Sequence, residues 1–102
     1  MASRLELHEE LCEILGNRNA YFNPPASLTM NYPCIRYTLT APNIKKANNG
    51  VYNLINRYEV TVIDIDPDSQ IPTKILSHFP MASWDRYYKA DNLNHTVLTI
   101  YY

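Results

Sequence analysis

The stretch Arg57-Tyr58-Glu59-Val60-Thr61-Val62-Ile63-Asp64-Ile65-Asp66-Pro67 decides how the rest of the chain is read. It is the longest β-branched and aromatic run, with no Gly and no Pro before its end. Alternation puts Tyr58, Val60 and Val62 on one face and Arg57, Glu59, Thr61, Ile63 and Ile65 on the other, which begins polar and turns apolar. That gradient fits a central strand with one face under helices and the other partly open to solvent or a partner. Pro67 cannot donate to a sheet ladder, so the strand must stop there.

Working outward, the next strong signal lies downstream. Ile71, Ile75, Leu76 and Phe79 mark one face of a short helix, with Pro72 in its first turn and Pro80 ending it. Ser83–Ala90 and Leu93–Tyr102 then read as a hairpin across Asp91-Asn92, residue types that accept the positive φ of a tight turn. Upstream, Ser3 with Glu6 reads as a capping box. Leu7, Leu11, Ile14 and Leu15 follow at helical spacing, with Leu5 and Cys12 widening the stripe and Gly16 closing the helix. Glu9, Glu10 and Glu13 fall away from the stripe and read as a solvated face.

Residues 17–26 have the composition of a loop. Residues 27–30 are a candidate short strand, and Cys34–Thr40 a better one, with Cys34 and Arg36 opposite in facing to Ile35, Tyr37 and Leu39. Residues 41–50 (Ala-Pro-Asn-Ile-Lys-Lys-Ala-Asn-Asn-Gly) read as an exposed, mobile loop between two paired strands, the second covering Val51–Ile65. The expected fold is α+β and a single domain over residues 1–102. An N-terminal helix precedes an antiparallel or mixed sheet of four to five strands, and a second short helix lies between the central strand and a C-terminal hairpin.

At 102 residues there is material for one modest core. A net charge of −1 exerts no global pull on nucleic acid or membrane. Nine Tyr against two Phe and one Trp is unusual, and some of those phenols are expected at interfaces. Cys12 and Cys34 are too few and too far apart for a zinc motif and are expected to be buried thiols. No signal peptide is read at the Met1 end, and no apolar run reaches the ~20 residues that span a bilayer. A reducing cytoplasm is the expected setting.

Catalytic signatures are few. Asp64, Asp66 and Asp68 begin like a calcium loop, but Ser69 stands where the turn Gly is needed and Ile75 where the bidentate Glu is needed. These acids read instead as a strand end feeding the N-terminus of the next helix. His8, His78 and His95 have no local partner at metal-ligand spacing, and two Gly are too few for a phosphate loop. The expectation is no enzyme, no cofactor and no metal. Charge is segregated, however. From Tyr21 to Tyr58 there is no acid, while Arg36, Lys45, Lys46 and Arg57 are basic; four Glu precede this segment, and Glu59, Asp64, Asp66 and Asp68 follow it. Such segregation favours head-to-tail association of like subunits or docking to an acidic partner.

Four phrases, with the short helix between Pro67 and Pro80, carry a resemblance. They are Tyr21-Phe22-Asn23-Pro24-Pro25, Tyr32-Pro33-Cys34-Ile35-Arg36-Tyr37, Tyr58-Glu59-Val60-Thr61-Val62-Ile63-Asp64 and Asp91-Asn92-Leu93-Asn94-His95. Together, from Leu5 to Tyr102, the chain resembles small head–tail joining proteins of tailed bacteriophages, above all their tail-terminator (tail-completion) proteins. These are packing and turn phrases, not catalytic signatures. The resemblance implies a virion protein at the head–tail junction, assembled in the bacterial host cytoplasm. It implies a hexameric ring that caps the tail tube, stops its growth and meets the head connector proteins, with DNA passing through the lumen without sequence recognition. No membrane role is expected. Exposure and charge mark Asn43, Ile44, Lys45, Lys46, Asn48 and Asn49 as a partner-binding loop. The alternatives are a small metal-dependent phage nuclease using Asp64, Asp66 and Asp68, or a small regulatory binding protein.

Overall fold

The computed structural model describes residues 4–25, 27–48 and 51–102, and the side chains of 42–54 lie outside what it describes. The elements are α1 (Arg4–Leu15), β1 (Ala20–Phe22), β2 (Cys34–Asn48), β3 (Val51–Asp64), α2 (Ile71–His78), β4 (Ser83–Ala90) and β5 (Leu93–Tyr101). The strands form one mixed sheet in the order β1-β2-β3-β5-β4, so the fold is α+β with β3 at its centre. β1 runs parallel to β2, and every other pairing is antiparallel.

Alternation on β3 builds the core as expected. Tyr58, Val60 and Val62 are buried under the helices, and their cross-strand partners continue that face: Ile35 and Tyr37 on β2, Leu98 and Ile100 on β5. From α1 come Leu7, Leu11, Cys12 and Leu15; from α2 and its exit come Ile71, Ile75 and Phe79. Truncating a core side chain such as Leu11 to Ala would cost about 2–5 kcal/mol, depending on how far the site collapses. On the opposite face Arg57 is exposed and Glu59 half-buried, whereas Thr61 and Ile63 are buried. The gradient from polar to apolar holds as far as Ile63, whereas Ile65 lies beyond the end of β3 and is exposed.

Local chemistry accounts for the ends of the elements. Gly16 takes φ +85° and donates its N–H to the Cys12 carbonyl at 2.9 Å, closing α1. The Ser3 cap lies outside the described residues. Asp91 and Asn92 have φ of 53° and 62°, the left-handed pair a two-residue hairpin needs. Pro72 sits in the first turn of α2, where its missing N–H leaves no intrahelical bond unmade.

Several expectations need correction. Residues 17–26 contain β1, whose three residues pair with Ile35–Tyr37, and residues 27–30 form no strand. Leu5 is exposed and does not widen the buried stripe, because two residues before Leu7 is roughly the far side of a helix. Glu10 is not simply solvated, since it bonds both His78 and Tyr102.

The largest correction concerns residues 41–50. Ala41 to Asn48 is not a loop but the continuation of β2, paired against Val51 to Arg57. Two register shifts permit this. Thr40 is the extra residue between the Leu39–Tyr58 and Ala41–Arg57 pairs. Pro42 and Asn43 together face Asn56 between the Ala41–Arg57 and Ile44–Ile55 pairs. A bulge tolerates a residue with no N–H to give, so Pro42 bends the ribbon without ending it.

Candidate interaction surfaces

The β2–β3 ribbon outruns the rest of the sheet. β5 pairs with β3 only from Arg57 to Asp64, with a last pair of backbone bonds between Asn56 and Tyr102 at 3.0 and 2.9 Å. β1 covers β2 only at Ile35–Tyr37. Residues 41–48 and 51–55 therefore form a two-stranded arm with no third strand beside it among the described residues. The candidate partner-binding residues Asn43, Ile44, Lys45, Lys46 and Asn48 all lie on this arm by backbone position, and Asn49 lies outside the described residues. They are positions on a ribbon rather than on a loop.

A second surface lies at the other margin of the sheet. Among the described residues β4 pairs only with β5, and all of its residues but Ala90 are exposed. Neither helix covers it. Trp84 and Tyr87 share the helix-side face with Leu98 and Thr96, their partners on β5, and remain 52% and 48% exposed. On the reverse face Tyr88 stacks on His95 at 4.6 Å between ring centroids, and Thr99 donates its hydroxyl to Asp85 at 2.6 Å. Sequence reading did not single out these aromatics. In Trp-Asp-Arg-Tyr-Tyr-Lys neither face is purely apolar, and that lack of a buried face was the available signal for a margin strand.

Between β4 and the start of α2 lies a cleft of about 280 Å³. Trp84 and Tyr87 form one wall, and Asp64, Asp66, Asp68, Ser69 and Gln70 the rim. The carboxylates build their own loop. Asp64 Oδ1 accepts the Asp66 N–H at 3.0 Å, and Asp66 Oδ1 accepts the Asp68 N–H at 2.9 Å. These are Asx turns, in which a side chain imitates a backbone turn. The buried Asn94 holds that loop to the last hairpin. Its Nδ2 donates to the Asp64 and Ile65 carbonyls at 3.2 and 3.0 Å, while its Oδ1 accepts the Tyr87 hydroxyl.

Titratable groups elsewhere serve the fold. Burial, then Arg18 and Arg4, lowers the His8 pKa. Burial raises the Tyr37 phenol, against a smaller opposing pull from Arg4. Burial also pushes the Cys34 thiol up to about 11, and Cys12 is raised by the same cause. Both cysteines are free and buried, and thiols so placed are poor nucleophiles. His8, His78 and His95 are not brought together; each bonds a different part of the chain. Among the described residues, no three His, Cys, Asp or Glu side chains are arranged to hold a metal ion, and no helix is long and apolar enough to cross a membrane.

Compared with protein-family models and with curated proteins, the chain shows no match.

Proposed function

We propose that this chain is a non-enzymatic structural subunit at the head–tail junction of a tailed bacteriophage, acting as a tail terminator. In this reading six copies close into a ring that caps the tail tube and meets the head connector, and DNA crosses the lumen without being read. The observation that carries the proposal is the pairing of the phage-like phrases with an α+β subunit left open at both sheet margins. An isolated globular domain gains nothing from a bare aromatic edge and a projecting ribbon, which invite unwanted pairing. A subunit that must join neighbours needs both.

Charge supports the same reading. Lys45 and Lys46 lie on the arm within the acid-free segment, whereas Asp64, Asp66 and Asp68 rim the cleft beside β4. One subunit thus presents a basic margin and an acidic margin, the arrangement that favours head-to-tail docking. The nuclease alternative has less support, because Asp64 and Asp66 spend oxygens on backbone N–H groups in successive turns.

Electron microscopy of assembled tails with labelled protein is the test. The expected result is a ring at the head-proximal end of the tail, and tails of uncontrolled length when the protein is missing. A virion lacking the protein, or a label elsewhere in the particle, would overturn the proposal.

A further inference from the structure

We propose that subunits join by sheet continuation, the open edge of β4 on one copy pairing antiparallel with the outer edge of β2 on a second copy of this chain. The inference deepens the ring reading and rests on it for the closure of the assembly.

Strand direction is the first argument. β2 is antiparallel to β3, β3 to β5, and β5 to β4. β2 and β4 therefore run in opposite senses within one subunit. A second copy set beside β4 with its sheet facing the same way presents β2 antiparallel to it, ready to exchange backbone hydrogen bonds. Each contact uses one margin of each copy and leaves the other margin free. Such a heterologous contact propagates head to tail until it closes.

The exposed side chains fit this placement. On the helix side, Trp84 and Tyr87 project at the β4 margin, and Leu39, 38% exposed, lies on the same face at the β2 margin. The junction brings these together, so apolar area open to water in the subunit is covered in the assembly. On the reverse face Arg86 and Tyr88 approach Thr38 and Thr40. The arm beyond Ala41 then runs past Asp85 and the start of β4, carrying Lys45 and Lys46 along the neighbour away from the Asp64–Asp68 loop, which lies level with the far end of β4.

The irregularities set the length of the junction. β4 is bulged between Trp84 and Arg86, and β2 at Thr40 and again at Pro42 and Asn43. Bulges break long register-free pairing, which is how edge strands avoid indiscriminate addition. The open stretch of β2 runs from the end of the β1 cover at Tyr37 to the second bulge at Pro42, and it matches Arg86–Ala90 across the single extra residue Thr40. An isologous β4–β4 pair around a two-fold axis would also bury the aromatics, but it would leave Leu39 and the basic arm uncovered.

Disulfide trapping in the full-length protein tests the geometry, because Cys12 and Cys34 are buried and do not compete. Each of Thr38→Cys and Thr40→Cys is combined with each of Arg86→Cys and Tyr88→Cys, and the concentrated free protein is oxidised mildly. At least one double variant is expected to give a ladder of covalent dimers, trimers and higher species. A mixture of the two corresponding single variants is expected to stop at the dimer. Circular dichroism verifies that each variant is folded. A covalent dimer from Arg86→Cys or Tyr88→Cys alone, with no ladder from any double variant, overturns the proposal in favour of a two-fold pair. No intermolecular bond in any folded variant overturns it outright. Either failure leaves the ring reading to be judged separately by microscopy of tails, since a ring joined through other surfaces would still appear there.

Discussion

The Tyr37 hydroxyl lies 2.7 Å from Nδ1 of His8, while Arg4 Nη1 approaches the same oxygen at 3.3 Å. Arg4 donates to the phenol oxygen, and a single hydrogen joins that oxygen to His8 Nδ1. This relay ties α1 to β2. Arg4 also lies over the Phe22 ring of β1, 4.4 Å from its centre.

A pH dependence follows from that relay. His8 has its pKa lowered from the ordinary 6.5, so the unfolded chain binds a proton before the folded one does. Above about pH 6.5 both states are neutral and the group contributes no slope. Stability is expected to fall as pH drops below that value, and to level off once His8 is protonated in the folded state as well. Urea melts between pH 8 and 5 check this. A His8→Gln variant should lose that part of the slope, and an unchanged slope would show that another group is responsible. Tyr37→Phe should cost about 1 kcal/mol at pH 8, the net value of a typical hydrogen bond.

A second, more acidic window belongs to Glu10. Burial raises its pKa, but hydrogen bonds from Tyr102 and His78 outweigh this and hold it below the ordinary 4.5. A carboxylate of this kind stabilises the fold above its unfolded pKa and loses that contribution as pH falls through the folded value. Its oxygens join α1 to α2 through His78 Nε2 at 2.7 Å and to the end of the sheet through the Tyr102 hydroxyl. Burial and the Glu10 charge together raise the Tyr102 phenol, keeping it a donor. Tyr102→Phe is expected to destabilise by about 1–2 kcal/mol near neutral pH and by less below pH 4, as read by thermal melts. An equal loss at both pH values would assign the effect to packing.

The acidic loop is expected to be structural. Asp66→Asn keeps an oxygen for the Asp68 N–H and should leave stability nearly unchanged, whereas Asp66→Ala should cost roughly 1–2 kcal/mol, as loss of a comparable cap does. Asn94→Asp should be worse than either. It removes both donors to the Asp64 and Ile65 carbonyls and sets a charge beside them, on the scale of about 1–3 kcal/mol per unsatisfied buried group. Chemical denaturation ranks the variants. Tight magnesium or manganese binding, measured by calorimetry and abolished by Asp64→Asn with Asp66→Asn, would instead favour the nuclease alternative.

How much of this was legible depends on the range of the interaction. Tyr58, Val60 and Val62 declared the buried face of β3 through local alternation, and Asp91-Asn92 declared its turn through residue type. β1 could not be read the same way. Ala20–Phe22 is strand only because Ile35–Tyr37 lies beside it, a contact between distant parts of the chain. The arm was misread for a related reason. Pro42, Asn43 and Asn48 have loop composition, and bulges plus pairing with residues 51–56 override it. Exposure of Trp84 and Tyr87 depends on how far the helices extend across the sheet, which local sequence does not encode.

The arm gives the most direct separation of fold from function. Tyr37 and Tyr58 are the buried residues nearest it, and Ile44 and Ile55 are paired across it, so the ribbon beyond them can be shortened in register. Removing residues 45–54 and joining Ile44 to Ile55 through Asn-Gly supplies a two-residue turn suited to the strand twist. No residue of the described core is lost, so stability should change by no more than about 1 kcal/mol, the scale of surface changes. Lys45 and Lys46 leave with the arm. If they meet acidic groups of a neighbour, association should weaken and its salt dependence should flatten, because fewer charges are screened. Denaturant melts and sedimentation of the shortened and full-length chains at low and high salt provide the measurement. A stable shortened chain that associates and attaches to tails as well as the full-length one would make the arm a passive connection and remove it from the interface.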